Sequence, residues 1–316
     1  MSDTLRKVPE LSLLKYVNGN ETEKAEFVKN LYLGIKDYGF IILTDNTMTQ
    51  SAIDKGYAAS KAFFALSKEE KEACISSAGA GQRGYTPFGT EHAKDNPHKD
   101  LKEFYHVGRE VDSDHPYDKY YPKNIYPSQV EGFQDDMLTI FNELDKTSEI
   151  LLEALGIALD VPKDYFHKMI HEGNSVLRAI HYPPVGVAPP EGSIRAAAHG
   201  DINLITILMG ATASGLQLLD RDGTWLDVNS KEGQLVVDAG DMLSRITNDI
   251  IPATIHRVIN PKDATSARFS MPFFVHPHPE AMLECIPSCE GSGAKYPPIS
   301  SHECLTKRLK DIGLLK

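Results

Sequence analysis

Five side chains in two distant segments of this 316-residue sequence have types and spacings that suit chemistry better than packing. The first segment opens with Ala198-His199-Gly200-Asp201 and runs into the apolar stretch Leu204 to Met209; the second holds Thr254-Ile255-His256-Arg257-Val258 and ends in Arg268-Phe269-Ser270. In an extended chain alternate side chains share a face, so His199 and Asp201 can aim at one spot, and Arg268 and Ser270 repeat that spacing. Two imidazoles and one carboxylate on one side of a metal leave half of its coordination sphere open. That arrangement belongs to oxygen-activating Fe(II), whereas structural zinc takes closed four-ligand sites. His256 is the natural third ligand. The Arg268 guanidinium can grip a carboxylate through paired charge-assisted hydrogen bonds, with the Ser270 hydroxyl adding another.

Blander explanations compete with this one. Among 12 histidines a His-x-Asp arises by chance, and a second stands at His98-Lys99-Asp100. That copy lies in the polar stretch Glu91 to Lys102 with no apolar strand after it, and reads as a solvated loop. His276-Pro277-His278-Pro279-Glu280 also clusters histidines, but its prolines suit a loop or strand end. Gly79 to Gly84 fits the dinucleotide-binding glycine pattern; it opens into Tyr85-Thr86-Pro87 and not into a helix whose N-terminus could meet a pyrophosphate, so it is rejected.

The elements that must position these residues follow from periodicity. Val8 to Leu14 reads as a short strand. Asn20 and Glu23 have capping-box spacing, and Val28, Leu31, Tyr32 and Ile35 mark one face of a helix ending near Tyr38, with Gly39 as terminator. Phe40 to Leu43 reads as a buried strand, Thr49 to Leu66 as a helix, and Ser67 as the cap of a shorter one. Leu101 to Val107 reads as a strand at the mouth of a pocket, with Phe104 and His106 on one face. The stretch from His115 to Pro127 reads as a loop. Phe133 to Gly156 is an amphipathic helix, followed by a short one from Asp164.

After Ser175 the period changes to that of strands: Val176 to Tyr182, His199 to Met209, Leu216 to Leu219, Trp225 to Val228, Leu235 to Val237, His256 to Ile259 and Arg268 to Val275. Asp222-Gly223 is a hairpin turn, and Leu305 to Leu314 reads as a closing helix. The expected fold is mixed α+β, a mostly helical first half and a β sandwich or barrel in the second.

Composition narrows the function classes. A net charge of −11 argues against binding nucleic acid or an anionic membrane surface. No apolar run approaches a transmembrane length and the N-terminus has no signal-like core. The four cysteines, Cys74, Cys285, Cys289 and Cys304, match no zinc spacing and point to a cytoplasmic, reduced protein. The oligomeric state is left open.

With these residues in place, the sequence resembles the 2-oxoglutarate- and iron-dependent dioxygenases, in the branch of isopenicillin N synthase and the plant hormone and flavonoid oxygenases. The matching blocks run in order along nearly the whole chain: Tyr38-Gly39-Phe40, Lys102-Glu103-Phe104, Leu177 to Pro184, His199-Gly200-Asp201, Gly240 to Leu243, Thr247-Asn248-Asp249, His256-Arg257-Val258 and Arg268-Phe269-Ser270. The resemblance implies a double-stranded β-helix (jelly roll) core with N-terminal helices packed around it. The expected division is 1–172 for the helical region, 173–280 for the jelly roll and 281–316 for a C-terminal segment. It further implies His199, Asp201 and His256 as Fe(II) ligands, and Arg268, Ser270 and Tyr182 around the far carboxylate of 2-oxoglutarate. The activity implied is oxidation, by default hydroxylation, of a small organic molecule by O2, with release of succinate and CO2. Ile180-His181-Tyr182-Pro183 stands where plant members carry Asn-Tyr-Tyr-Pro, and Asn124-Ile125-Tyr126-Pro127 where Asn-x-Trp-Pro is common, so no plant substrate carries over. The substrate pocket is expected around Arg83, Tyr85, Phe104, His106 and Phe274, with the C-terminal helix closing it. Two alternatives remain open on sequence: an isopenicillin N synthase-like or aminocyclopropane carboxylate oxidase-like oxidase that keeps the motif without 2-oxoglutarate, and a non-catalytic jelly roll that merely binds a metal and a ligand.

Overall fold

A computed structural model describes residues 6–77, 81–91, 98–184, 192–261 and 265–311. Its frame is an eight-stranded sheet facing a four-stranded one. In the larger sheet the strands lie in the order β1 (Glu10–Ser12), β2 (Phe40–Asp45), β10 (Leu235–Ala239), β7 (Ile205–Met209), β12 (Arg268–Val275), β5 (Val176–Tyr182), β4 (Glu103–Gly108), β3 (Gly84–Thr86). The smaller sheet runs β6 (Ala196–His199), β11 (His256–Val258), β8 (Leu216–Leu219), β9 (Trp225–Asp227). A β13–β14 pair (Met282–Leu283, Ile299–Ser300) stands apart. Two facing, largely antiparallel sheets are the jelly-roll architecture that the strand pattern implies.

Helices cover the outer face of the larger sheet. They are α1 (Leu13–Asn18), α2 (Glu21–Tyr38), α3 (Gln50–Phe64), α4 (Lys68–Glu72), α5 (Phe133–Ala158) and α6 (Tyr165–Ile170). Their starts obey the capping signals: Asn20 and Ser67 form full capping boxes with Glu23 and Glu70, and Thr49 accepts from Ala52 N. Gly39 ends α2 at φ +69°, and a Cβ there would fall 1.9 Å from Thr254 Oγ1, so only glycine fits both the turn and the contact.

Three elements differ from the sequence reading. Leu13 and Leu14, expected to end the first strand, instead begin α1, because Ser12 caps that helix, accepting from Lys15 N. The first half is less purely helical than its pattern suggests, since β1 to β4 all join the larger sheet. The stretch from His199 to Met209 is two strands, with β6 ending at His199 and β7 beginning at Ile205. The turn between them is braced by Asn203, whose Nδ2 donates to Ile205 O and Thr206 Oγ1, both at 3.0 Å. It is docked on α7 (Asp241–Ile246), whose Asp241 N donates to Asp201 O. Neither α7 nor β3 has enough length for periodicity to mark it.

Candidate active site between the two sheets

His199 closes β6 and His256 opens β11, and the two residues are partners in the antiparallel register. Their rings lie 4.5 Å apart between centroids. Asp201 comes from the turn just described, not from a continuing strand, and points at the same spot. Each imidazole Nε2 is 3.9 Å from Asp201 Oδ1, and the three ligand atoms all lie within 4.8 Å of one another. The tautomers are set from behind: Nδ1 of His199 is 2.7 Å from Ala197 O and Nδ1 of His256 is 3.3 Å from Thr254 O. Each Nδ1 therefore carries the proton and each Nε2 a lone pair, as a metal ligand requires. Burial, then the neighbouring His256, pushes the His199 imidazole down to about 4. An open three-donor set of this kind fits Fe(II).

Two partners of Asp201 escaped the sequence reading. Thr206 Oγ1 donates to Asp201 Oδ2. Behind it lies Asp238, opposite Thr206 in the β10–β7 register. Burial, and then Asp201 itself, raises the Asp238 carboxyl well above the usual carboxylate range. Asp238 reads in sequence as one polar residue ending an apolar strand, with nothing to tie it to position 201.

Deeper in the interior stand the residues expected around the cosubstrate. Arg268 and Ser270 are both buried; Arg268 Nη1 donates to Ser270 Oγ at 3.0 Å and Nε to Ala213 O at 3.0 Å. Tyr182 is the register partner of Arg268, with its ring centroid 5.0 Å from the guanidinium carbon. A second guanidinium, Arg195, lies 5.8 Å from the same ring. Arg195 is fully buried, its Nη2 donates to Ser266 O, and its Nε and Nη1 have no partner. Two buried cations thus stand around one tyrosine. The sequence offered no signal for Arg195, which precedes the His-x-Asp segment as an isolated basic residue.

A cavity of about 410 Å³ leads from this centre to the surface. Of the five residues expected in its wall, His106 and Phe274 line it, and Leu305 and Leu309 of α8 (Ser301–Asp311) close one side as expected for the C-terminal helix. Arg83, Tyr85 and Phe104 do not face it. Arg83 is wholly buried against Gly108, where a Cβ would stand 1.8 Å from its guanidinium carbon. Tyr85 points to the opposite face of the sheet, edge-on to Phe63 and bonded to Glu103 at 2.5 Å. Phe104 lies beneath Arg178, 4.2 Å from its guanidinium, in the core between the sheets. The stretch Glu91 to Lys102, read as a solvated loop, is instead part of the wall at both ends. Lys102 Nζ is 2.7 Å from Glu91 and 3.0 Å from Asp100, and Asp100 Oδ1 accepts from Ala197 N. The charges at its described ends, Glu91, Asp100 and Lys102, are engaged in ion pairs, which composition cannot distinguish from hydration. The rejected glycine motif is consistent with this placement: Gly84 opens β3 and no helix; Gly79 and Ala80 lie outside the described residues.

Comparison with known proteins now decides the family. Residues 173–277 match the 2OG-Fe(II) oxygenase superfamily, and residues 8–129 match the family described as non-haem dioxygenase in morphine synthesis N-terminal. A 2-oxoglutarate-Fe(II) type oxidoreductase of Emericella nidulans is 30% identical over 303 residues, covering 92% of this chain and 86% of that one. The chain belongs to the 2OG-Fe(II) oxygenases. Among solved structures, a 2OG-Fe(II) oxygenase family protein from Caulobacter crescentus superposes with a TM-score of 0.87 at 38% identity, covering 96% of this chain and 99% of its own. A full-length protein of Neurospora crassa, crystallised in complex with alpha-KG, superposes at 0.86 and 29% identity, with 98% of each chain covered. The oxygenase is accordingly an Fe(II)- and 2-oxoglutarate-dependent oxidoreductase acting on a small molecule, and its His-Asp-His cluster suits the iron. Among the described residues no helix is long and apolar enough to cross a membrane.

Proposed function

We propose that His199, Asp201 and His256 hold the Fe(II), that Arg268, Ser270 and Tyr182 hold the far carboxylate of 2-oxoglutarate, and that the default outcome is hydroxylation. The observation that carries this reading is the convergence of three ligand atoms within 4.8 Å beside the buried Arg268–Ser270 pair. A purely structural metal site has no use for a buried guanidinium with a carboxylate-shaped fork. Bound Fe(II) and 2-oxoglutarate supply oxidative decarboxylation coupled to oxidation of a substrate C–H bond.

The chain's own residues then have distinct tasks. Ala197 O and Thr254 O orient the two imidazoles, while Thr206 holds Asp201 Oδ2 so that the other oxygen remains for the metal. Arg268 and Arg195 fix the anionic end of the cosubstrate, and Leu305 and Leu309 exclude water from the cavity. We further place the oxygenase in the isopenicillin N synthase-like branch, on the motif blocks along the chain, and in the cytoplasm, on four free cysteines. The acidic balance supports a small molecule, and neither nucleic acid nor membrane, as partner.

The test is succinate release measured against substrate and 2-oxoglutarate separately. The expected result is dependence on both, with 2-oxoglutarate half-saturation raised in Arg268→Ala. Turnover that needs no 2-oxoglutarate would place this chain with the oxidases that keep the motif without the cosubstrate.

A further inference from the structure

The second His-x-Asp of the sequence, His98-Lys99-Asp100, supplies no ligand, since His199, Asp201 and His256 are the one metal-competent group among the described residues. Its aspartate nevertheless reaches the candidate centre from behind. β6 is the outermost strand of the smaller sheet and ends on His199, so its outer edge carries backbone groups that no strand pairs. Residues 100 and 101 run along that edge. Leu101 N donates to Ile194 O at 3.0 Å, and Asp100 Oδ1 accepts from Ala197 N at 3.0 Å. Ala197 is also the residue whose carbonyl lies 2.7 Å from His199 Nδ1 and orients that ring.

The carbonyls behind the two imidazoles are thus braced differently. Behind His256, Thr254 braces itself, its Oγ1 donating to Tyr38 O at 2.9 Å. Behind His199, Ala197 has no polar side chain, and the brace comes from Asp100. Asp100 is 3% exposed, and a carboxylate so deeply buried needs a counterion. Lys102 supplies it. Its Nζ lies 3.0 Å from Asp100 Oδ2 and 2.7 Å from Glu91, which Arg178 shares at 3.4 Å. One oxygen of Asp100 therefore holds the strand that carries His199 and the other holds the cation, so the carboxylate cannot turn without losing a partner.

We propose that Asp100 is a positioning residue for the iron centre: it pins the outer edge of β6 so that the His199 imidazole stays aimed at the metal, and Lys102 fixes Asp100 in turn. The charge-assisted hydrogen bond from Ala197 N is stronger than a neutral one would be, which suits an edge with no neighbouring strand. Asp100 acts through Ala197 and not as a ligand. This deepens the functional reading above and rests on it.

The test is anaerobic Fe(II) titration of the full chain by calorimetry. The expected result is that Asp100→Ala binds Fe(II) about tenfold more weakly than the wild type, the lower end of the loss when a partner behind a ligand is removed. Asp100→Asn, which keeps an oxygen for Ala197 N, recovers most of that affinity. Asp100→Leu combined with Lys102→Met leaves no unpaired lysine buried and shows the same loss as Asp100→Ala, which keeps the test open if the single variant does not fold. Phe273→Ala, on the outer face of the larger sheet, loses stability yet keeps wild-type iron affinity. Wild-type affinity in Asp100→Ala or in the double variant, an Asp100→Asn no better than Asp100→Ala, or an equal loss in Phe273→Ala overturns the proposal. His199→Ala, titrated alongside, separates those results from a failure of the ligand reading: iron binding unchanged in that variant would remove His199 from the ligand set, and both proposals fall.

Discussion

The two faces of the larger sheet are made by the same strands yet obey different rules. On the outer face, Leu177, Ile207, Met271 and Phe273 pack against the helices, with Phe273 edge-on to Phe141 of α5 at 5.0 Å between centroids. On the inner face the alternate residues of those strands are Arg178, Thr206, Ser270 and Phe274, joined by Asp238 and Arg268. The outer face stabilises the fold by removing apolar surface from water; the inner face does so only in part, through Phe40, Ile180 and Val236, and elsewhere buries charge and polarity. Period-two alternation lets one strand carry both assignments without conflict.

Substitutions on the two faces should therefore fail in different ways. The largest effect is expected at the metal cluster: Asp201→Ala or His256→Ala brings turnover to background while circular dichroism and melting remain those of a folded protein. Retained turnover in either variant would remove that residue from the ligand set. On the outer face, Phe273→Ala is expected to cost about 3–5 kcal/mol of stability through lost burial and a residual cavity. Folded enzyme should keep its 2-oxoglutarate affinity, and a selective loss of that affinity would erase the distinction between the faces. Arg268→Ala inverts the pattern, weakening 2-oxoglutarate by about 1.5–3 kcal/mol, the scale of hydrogen bonds to a charged group. Unchanged affinity would place the carboxylate elsewhere, with Arg195 the next candidate. Smaller again, Thr206→Val should lower iron affinity by about 10–100-fold, as loss of a partner behind a ligand does; anaerobic metal titration reads it.

How legible each face was in the sequence follows from the same contrast. The outer face and its helices were readable because apolar periodicity and caps are local: Asn20, Ser67 and Gly39 sit where their signals place them. His199, Asp201, His256, Arg268 and Ser270 stood out because short polar motifs interrupt apolar strands. Their supporters did not. Asp238 and Arg195 are single polar residues whose meaning comes from residues on other strands. The ion pairs of Lys102 look, in one dimension, like any hydrated charge run. Tyr85 and Arg83 show the converse error, in which chemical type suggested a site and strand parity or burial removed it.

The smallest expected effect concerns pH. Burial pushes His276 down to about 4 from an ordinary 6.5. Between those values the unfolded chain binds more protons than the folded one, so this histidine's contribution is complete above pH 6.5 and is lost as pH falls toward 4. Melting temperatures of His276→Gln should fall less steeply than wild type across that window. Parallel slopes would show that the ring is already solvated in the fold.

The most direct measurement is the visible charge-transfer band that 2-oxoglutarate generates on anaerobic Fe(II) protein. The expected result is a band in the wild type, none in His256→Ala, and in Arg268→Ala a band that needs roughly ten- to a hundredfold more 2-oxoglutarate. A band that persists in His256→Ala, or that never forms in the wild type, would contradict the placement of iron and cosubstrate between these two sheets.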